Sequence, residues 1–187
     1  MKASMAAEQP ATGDAVVEEP VRHLMMHTEY ADLVAVIKKQ CAEYVKGNKG
    51  VKISNVMLID ELFMEFDVVL IKRMLNILFT NSQKFAAKNC HISVGLIRKD
   101  NGNVQIQVAD NGIGVADEYK PHMFDHTAGV DELELALVKD IIVAHGGTIE
   151  VKDNPGGGTI MVIDLPAKGM VEEAEIMDDD HADDEIK

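Results

Sequence analysis

Between Asp67 and Asp110 the spacing of apolar residues changes period, and no other stretch of the chain narrows the fold as far. From Asp67 to about Ala87, the residues Leu70, Ile71, Met74, Leu75, Leu78 and Phe85 fall at helical spacing, a broad apolar surface that Asp67 can cap at its N-terminus. HISVGLIR and NVQIQVAD then alternate apolar and polar residues on either side of Asp100, Asn101 and Gly102, which have the composition of a hairpin turn. A helix that must bury a wide face, next to strands that each bury one face, predicts a layer of helix on a layer of sheet.

The flanking segments extend this pattern. Asp32 to Tyr44 puts Leu33, Val34, Val36, Ile37 and Cys41 on one side of a helix, and Gly47, Asn48 and Gly50 stop it. VKISNVML reads as a strand with Val51, Ile53 and Val56 inward, and LFMEF as a shorter one. A helix from Asp131 to His145 and a final hairpin, GGTIEVKDNPGGGTIMVIDLP, complete the order. The predicted fold is α+β: a two-layer sandwich with a mixed, mostly antiparallel sheet covered on one face by helices.

Charge and composition set the boundaries. Residues 1–20 show no helical or strand period and read as a disordered tail; residues 169–187 form a second, acidic one. From Val171, VEEAEIMDDDHADDEIK holds nine Asp or Glu residues, either a solvated disordered tail or an interaction or self-masking segment. Between the tails, 21–168 reads as one domain, and the 47% hydrophobic content of the 187 residues is enough to fill its core. A net charge of -14 repels nucleic acid and anionic lipid, so protein partners or a metal-chelated ligand are expected, with no nucleic acid and no membrane. No apolar run approaches the roughly 18 residues that span a bilayer, and no signal-peptide pattern opens the chain, which predicts a cytoplasmic protein. Cys41 and Cys90 lack metal-like spacing and read as ordinary buried thiols.

Three short stretches carry chemistry: NSQKFA at 81–86, ADNGIG at 109–114, and the final HGGTIEVKDNPGGGTIMVIDLP. Their order and spacing resemble the ATP-binding catalytic domain of sensor histidine kinases, the histidine kinase-like ATPase fold shared with gyrase, Hsp90 and MutL. The resemblance runs from about Tyr30 to Pro166. It implies that Asn81 is a magnesium ligand through its side-chain oxygen and that Lys84, one turn on, contacts phosphate. It also implies that Asp110 accepts from the adenine amino group, while Gly112 and Gly114 supply a tight bend and backbone access. Thr159 joins the implied nucleotide-binding set, the implied cofactors are ATP or ADP with Mg2+, and no catalytic residue is assigned.

One segment departs from the family. The family's phosphate-wrapping lid ends in a glycine box, G-x-G-L-G-L, which falls here on VDELEL, so Glu132 and Glu134 stand where its last two glycines do. Asp131 and Glu134 have capping-box spacing and can satisfy the N–H groups that a phosphate would use. A carboxylate about 4 Å from a phosphate charge costs about 4 kcal/mol at an effective dielectric near 20. Each glutamate also adds a Cβ where glycine permits positive φ, and the lid is short. Adenine recognition is therefore expected to survive and phosphate recognition to be damaged, leaving ATP binding weak or lost.

The family's phosphoacceptor histidine sits on a helical hairpin before this domain, and the residues preceding the first helix here are too few for one. His23 and His27, in VRHLMMHTEY, read as a peripheral helical segment; Phe124, between His122 and His126, reads as packing; His145, in HGG, reads as a helix cap. The expected function is a stand-alone, degenerate kinase-like (pseudokinase) domain of two-component-type signalling, acting on a signalling protein such as a histidine kinase or response regulator. With its pocket vestigial, Asn81 and Asp110 would be surface polar groups of little consequence to stability. The alternative is an active ATPase or kinase that phosphorylates a protein in trans, or an anti-sigma-like regulator.

Overall fold

The computed structural model describes residues 24–86, 89–126 and 132–169, so both predicted tails, apart from Gly169, lie outside the described residues. The first element, β1 (Glu29–Asp32), shows no period in the sequence and runs directly into α1 (Leu33–Gly47). Asp32 ends the strand and caps the helix: its Oδ1 accepts from Val34 N at 3.0 Å and from Leu62 N at 3.0 Å. The helix buries Leu33, Val34, Ile37, Cys41 and Tyr44 and stops where Asn48 returns its N–H to the Tyr44 carbonyl.

Next come β2 (Val51–Met57) and β3 (Phe63–Phe66), which lie in different sheets. β3 pairs antiparallel with β1 in a two-stranded sheet, Glu29 opposite Phe66. α2 (Val68–Lys84) follows, capped as its sequence predicts: Asp67 Oδ1 accepts from Leu70 N at 2.9 Å. Its second oxygen accepts from His27 N at 2.8 Å, anchoring the chain before β1. Residues 24–28 form no helix, which corrects the reading of a peripheral helical segment there; His23 lies outside the described residues.

The main sheet adds β4 (Cys90–Arg98), β5 (Val104–Asp110), β6 (Thr148–Asp153) and β7 (Thr159–Leu165), in the order β2-β4-β5-β7-β6. Among the described residues only β2 and β4 run parallel, Val51 opposite Cys90, which the crossover through β3 and α2 makes possible; the other pairs of this sheet are antiparallel. Ile92, Val94, Leu96, Val104, Ile106, Val108 and Ile163 turn into the core, under α1, α2 and α3 (Glu132–Ala144). This is the predicted α+β sandwich with helices on one face.

Four apolar residues are placed differently from expectation. Val56 is 53% exposed because a strand alternates strictly: Val51 and Ile53 face inward, so Met57 shares their side and Val56 does not. Phe85 is 45% exposed because α2 ends at Lys84 and Phe85 is its C-cap. Conversely Ile77 and Phe79 are buried, since α2 packs against α1 and α3 as well as the sheet; the Phe79 ring meets Tyr44 edge-on at 5.3 Å.

α3 ends in a Schellman turn, with Gly146 at φ +78°, Gly146 N donating to Val143 O and Gly147 N to Ile142 O. His145 caps the helix as its place in HGG predicts, Nδ1 donating to Ile141 O at 2.7 Å. No helix among the described residues is long and apolar enough to cross a membrane.

Candidate functional site

Asp110, the last residue of β5, is only 9% exposed. Its Oδ1 accepts from Gly112 N at 2.9 Å and from Thr159 N at 3.1 Å, and its Oδ2 accepts from the Ser82 hydroxyl at 3.2 Å. Its own carbonyl accepts from Asn154 Nδ2 at 2.8 Å. An ionised carboxylate offers about four acceptor positions, so three internal bonds leave room for about one more donor. Asp110 is thus a buried junction, and the expectation of a surface polar group is corrected: its partners come from α2, its own turn and the final hairpin.

Close backbone approach assembles this junction. Ile113 N donates to Phe85 O at 3.3 Å, and Ala86 pairs with Gly112, which lays the DNGIG turn against the end of α2. A Cβ on Gly112 would stand 2.9 Å from the Phe85 carbonyl oxygen. On the other side Gly158, at φ +100°, passes so close that a Cβ would stand 2.2 Å from the Asp110 carbonyl oxygen. Both positions need glycine on steric grounds. Gly114 also has positive φ, +78°, as a tight bend requires.

The other predicted residues lie on the adjoining turns of α2. Asn81 and Lys84, with Ile77 and Thr80, face Glu134 and Leu135 of α3 across a crevice of about 20 Å³. That is room for about one water. The Asn81 carboxamide has no hydrogen-bond partner among the described residues, and the Lys84 ammonium lies 5.4 Å from the centre of the Phe85 ring. Glu134, which the family resemblance places at a missing glycine, thus faces the residues implied to hold magnesium and phosphate. Asp131 and residues 127–130 lie outside the described residues, and with them the predicted capping box and most of the lid.

The two ends of the site therefore differ in fit. At one end the buried Asp110 carboxylate keeps about one acceptor position, and the glycines beside it let the protein's own backbone close around it. At the other end the crevice at Asn81 and Lys84 is small, and the Glu134 carboxylate faces it. Among the described residues no group of three or more His, Cys, Asp or Glu side chains could hold a metal.

Ser82 and Asn154 were not singled out from the sequence. Ser82 follows Asn81 in NSQK, and Asn154 stands in the DNPGGG turn, so only their side-chain bonds to Asp110 set them apart. The lid-side histidines are tied to carboxylates: His122 Nδ1 lies 2.9 Å from Asp125 and His126 Nε2 lies 3.1 Å from Asp140. Phe124 is buried, the packing role expected of it.

Fold and site together define a class, the two-layer ATP-binding sandwich of the histidine kinase type. Residues 66–169 match the histidine kinase-, DNA gyrase B-, and HSP90-like ATPase family, and the chain belongs to that family. It is 36% identical over 109 residues to the sensor protein CiaH of Streptococcus pneumoniae, covering 53% of this chain and 24% of that protein. To the sensor histidine kinase YkoH of Bacillus subtilis it is 32% identical over 114 residues, 56% of this chain and again 24% of the relative. The chain thus spans about a quarter of the length of these curated relatives. Among solved structures, the mycobacterial sensor histidine kinase MprB superposes with a TM-score of 0.66 at 21% identity, covering 77% of this chain and all of that one. Full-length ShkA in complex with AMPPNP gives 0.69 at 22% identity, over 79% of this chain and 33% of that one. At such identities these structures speak for the fold alone.

Proposed function

We propose that this chain is a phosphate-impaired, pseudokinase-like member of its family that acts in two-component-type signalling through contact with a signalling protein, such as a histidine kinase or response regulator, in the cytoplasm. The observation that carries this reading is Glu134 facing Asn81 and Lys84 across their small crevice. Asp110, backed by Ser82 and the amides of Gly112 and Thr159, offers an acceptor to an adenine amino group. Asn81 and Lys84 are the residues that would meet Mg2+ and phosphate, and the Glu134 carboxylate opposes the phosphate there. ATP therefore binds weakly or not at all, and ADP loses less than ATP relative to ordinary family members.

The intact Asp110 junction supports a second reading, an active ATP-binding kinase or ATPase, or anti-sigma-like regulator, that phosphorylates a protein in trans. Calorimetric titration of the full chain with ATP and ADP, each with and without Mg2+, separates the two. Weak, magnesium-indifferent binding fits an impaired phosphate end. A micromolar, magnesium-dependent ATP affinity, about -8 kcal/mol, would establish the second reading and sink the first.

A further inference from the structure

We infer that the outer face of α1 is a docking surface for acidic polypeptide, and that its occupant is this chain's own segment Val171–Lys187. The inference does not depend on whether nucleotide binds. From Leu33 to Lys52 the chain carries five lysines, Lys38, Lys39, Lys46, Lys49 and Lys52, against one acid, Glu43, a local charge of +4 in a chain of -14. All five are exposed, and none makes an ion pair among the described residues.

Their arrangement is a stripe. Ala35, Lys38, Lys39, Ala42 and Lys46 recur at three- and four-residue spacing, opposite the buried Leu33, Val34, Ile37, Cys41 and Tyr44. The two alanines are exposed and short, which leaves a shallow floor between lysine side chains. Glu43, four residues after Lys39 and three before Lys46, is the one acid on α1, which leaves the helix at +2 with Lys38 and Lys39 adjacent and their mutual repulsion only partly offset. An acidic partner relieves that repulsion.

Val171–Lys187 has the complementary chemistry: nine acids and one lysine, a charge of -8, with Ile176 and Met177 as an apolar pair of a size to rest on the alanine floor. The geometry brings it close. Lys168 is fixed against β3, where its carbonyl accepts from Glu65 N at 3.0 Å. Three residues earlier, Leu62 O accepts from Leu33 N, the first residue of α1, at 2.8 Å. Three extended residues span about 10 Å and seventeen about 55 Å, so the segment starts near one end of the helix with ample reach. The stripe lies on a helix of 15 residues, about 22 Å long. A tether this short gives an effective concentration on the order of millimolar, so even a weak electrostatic match is populated ahead of a free acidic partner. Any acidic protein that reaches α1 must then displace the tail.

The test uses the full chain carrying Ala182→Cys with a nitroxide on the new thiol. Burial pushes the Cys41 thiol up to about 12 and raises that of Cys90, which keeps both native cysteines unreactive. At low salt the label should broaden the amide signals of α1 around Lys38 to Lys46 at least about twofold more than those of β6, and about 1 M salt, with a Debye length near 3 Å, should abolish the difference. Lys38→Glu/Lys39→Glu/Lys46→Glu should abolish it at low salt as well; if that variant does not fold, the salt series on the parent chain decides. Broadening that ignores salt, centres on another face, or persists in the triple variant overturns the docking surface. Broadening that grows with protein concentration assigns the stripe to a second molecule and overturns the tail as occupant.

Discussion

The main-chain N–H of Asp67 donates to Nε2 of His145 at 3.1 Å, joining the start of α2 to the end of α3 across 78 positions of sequence. Because Nδ1 of the same ring donates to Ile141 O, the imidazole is held as the neutral Nδ1–H tautomer with both nitrogens used. His145→Ala strands a buried N–H and leaves a void, for an expected loss of about 1–3 kcal/mol. Urea unfolding measures it, and a loss below about 0.5 kcal/mol would mean that the helix ends are held by packing alone.

Asp67 itself makes stability depend on pH. Burial alone would raise its pKa, but the N–H groups of His27, Leu70 and Val69 outweigh burial and hold the carboxyl below its ordinary 3.8. A group whose folded value is depressed contributes stability above its unfolded pKa and loses that contribution as pH falls through the folded value. The parent chain should therefore lose stability below about pH 4, and Asp67→Asn, which keeps a capping oxygen but cannot titrate, should lose less over the same range. Urea midpoints at a series of pH values give the comparison; parallel curves would remove Asp67 from the acid sensitivity.

At the site, substitution should reveal a structural junction. Asp110→Ala strands the amides of Gly112 and Thr159, and an expected loss of about 2–3 kcal/mol follows. Gly158→Ala should cost at least about 2 kcal/mol, because its φ and its contact with Asp110 both exclude a Cβ. Gly156→Ala, two residues away with open space around it, should stay within about 0.5 kcal/mol of the parent. Thermal melts of the three variants rank them; equal behaviour of the two glycines would mean that the hairpin moves aside.

How much of this was legible in the sequence follows from the range of the forces involved. The helix periods, the cap at Asp67 and the Gly102 turn are local, and each is found where its residues put it. β1 was not legible: four residues, EYAD, carry no period and become a strand only by pairing with β3. The motif named Asp110, but DNG read alone is an exposed turn. Its burial depends on Thr159, Gly158 and Asn154, which reach it only when the last hairpin docks. Glu134 was legible as a departure from the family box, whereas its position opposite Asn81 and Lys84 follows from the packing of α3 against α2.

Glu132 and Glu134 allow the proposed impairment to be reversed. Replacing both by glycine removes two negative charges and restores backbone freedom at the start of α3, where a phosphate would meet the helix N-terminus. Removing a carboxylate about 4 Å from a phosphate is worth up to about 4 kcal/mol, and even a third of that raises ATP affinity about tenfold. Stability should move the other way, because glycine costs about 1 kcal/mol per helical site relative to good helix formers. For a domain of this size each kcal/mol lowers Tm by about 2–4 °C. Helix caps unrelated to any nucleotide predict the lower Tm without the gain in affinity. Melting curves and ATP calorimetry on the double variant read both quantities, and a less stable protein that still ignores ATP would leave the two glutamates as caps and nothing more.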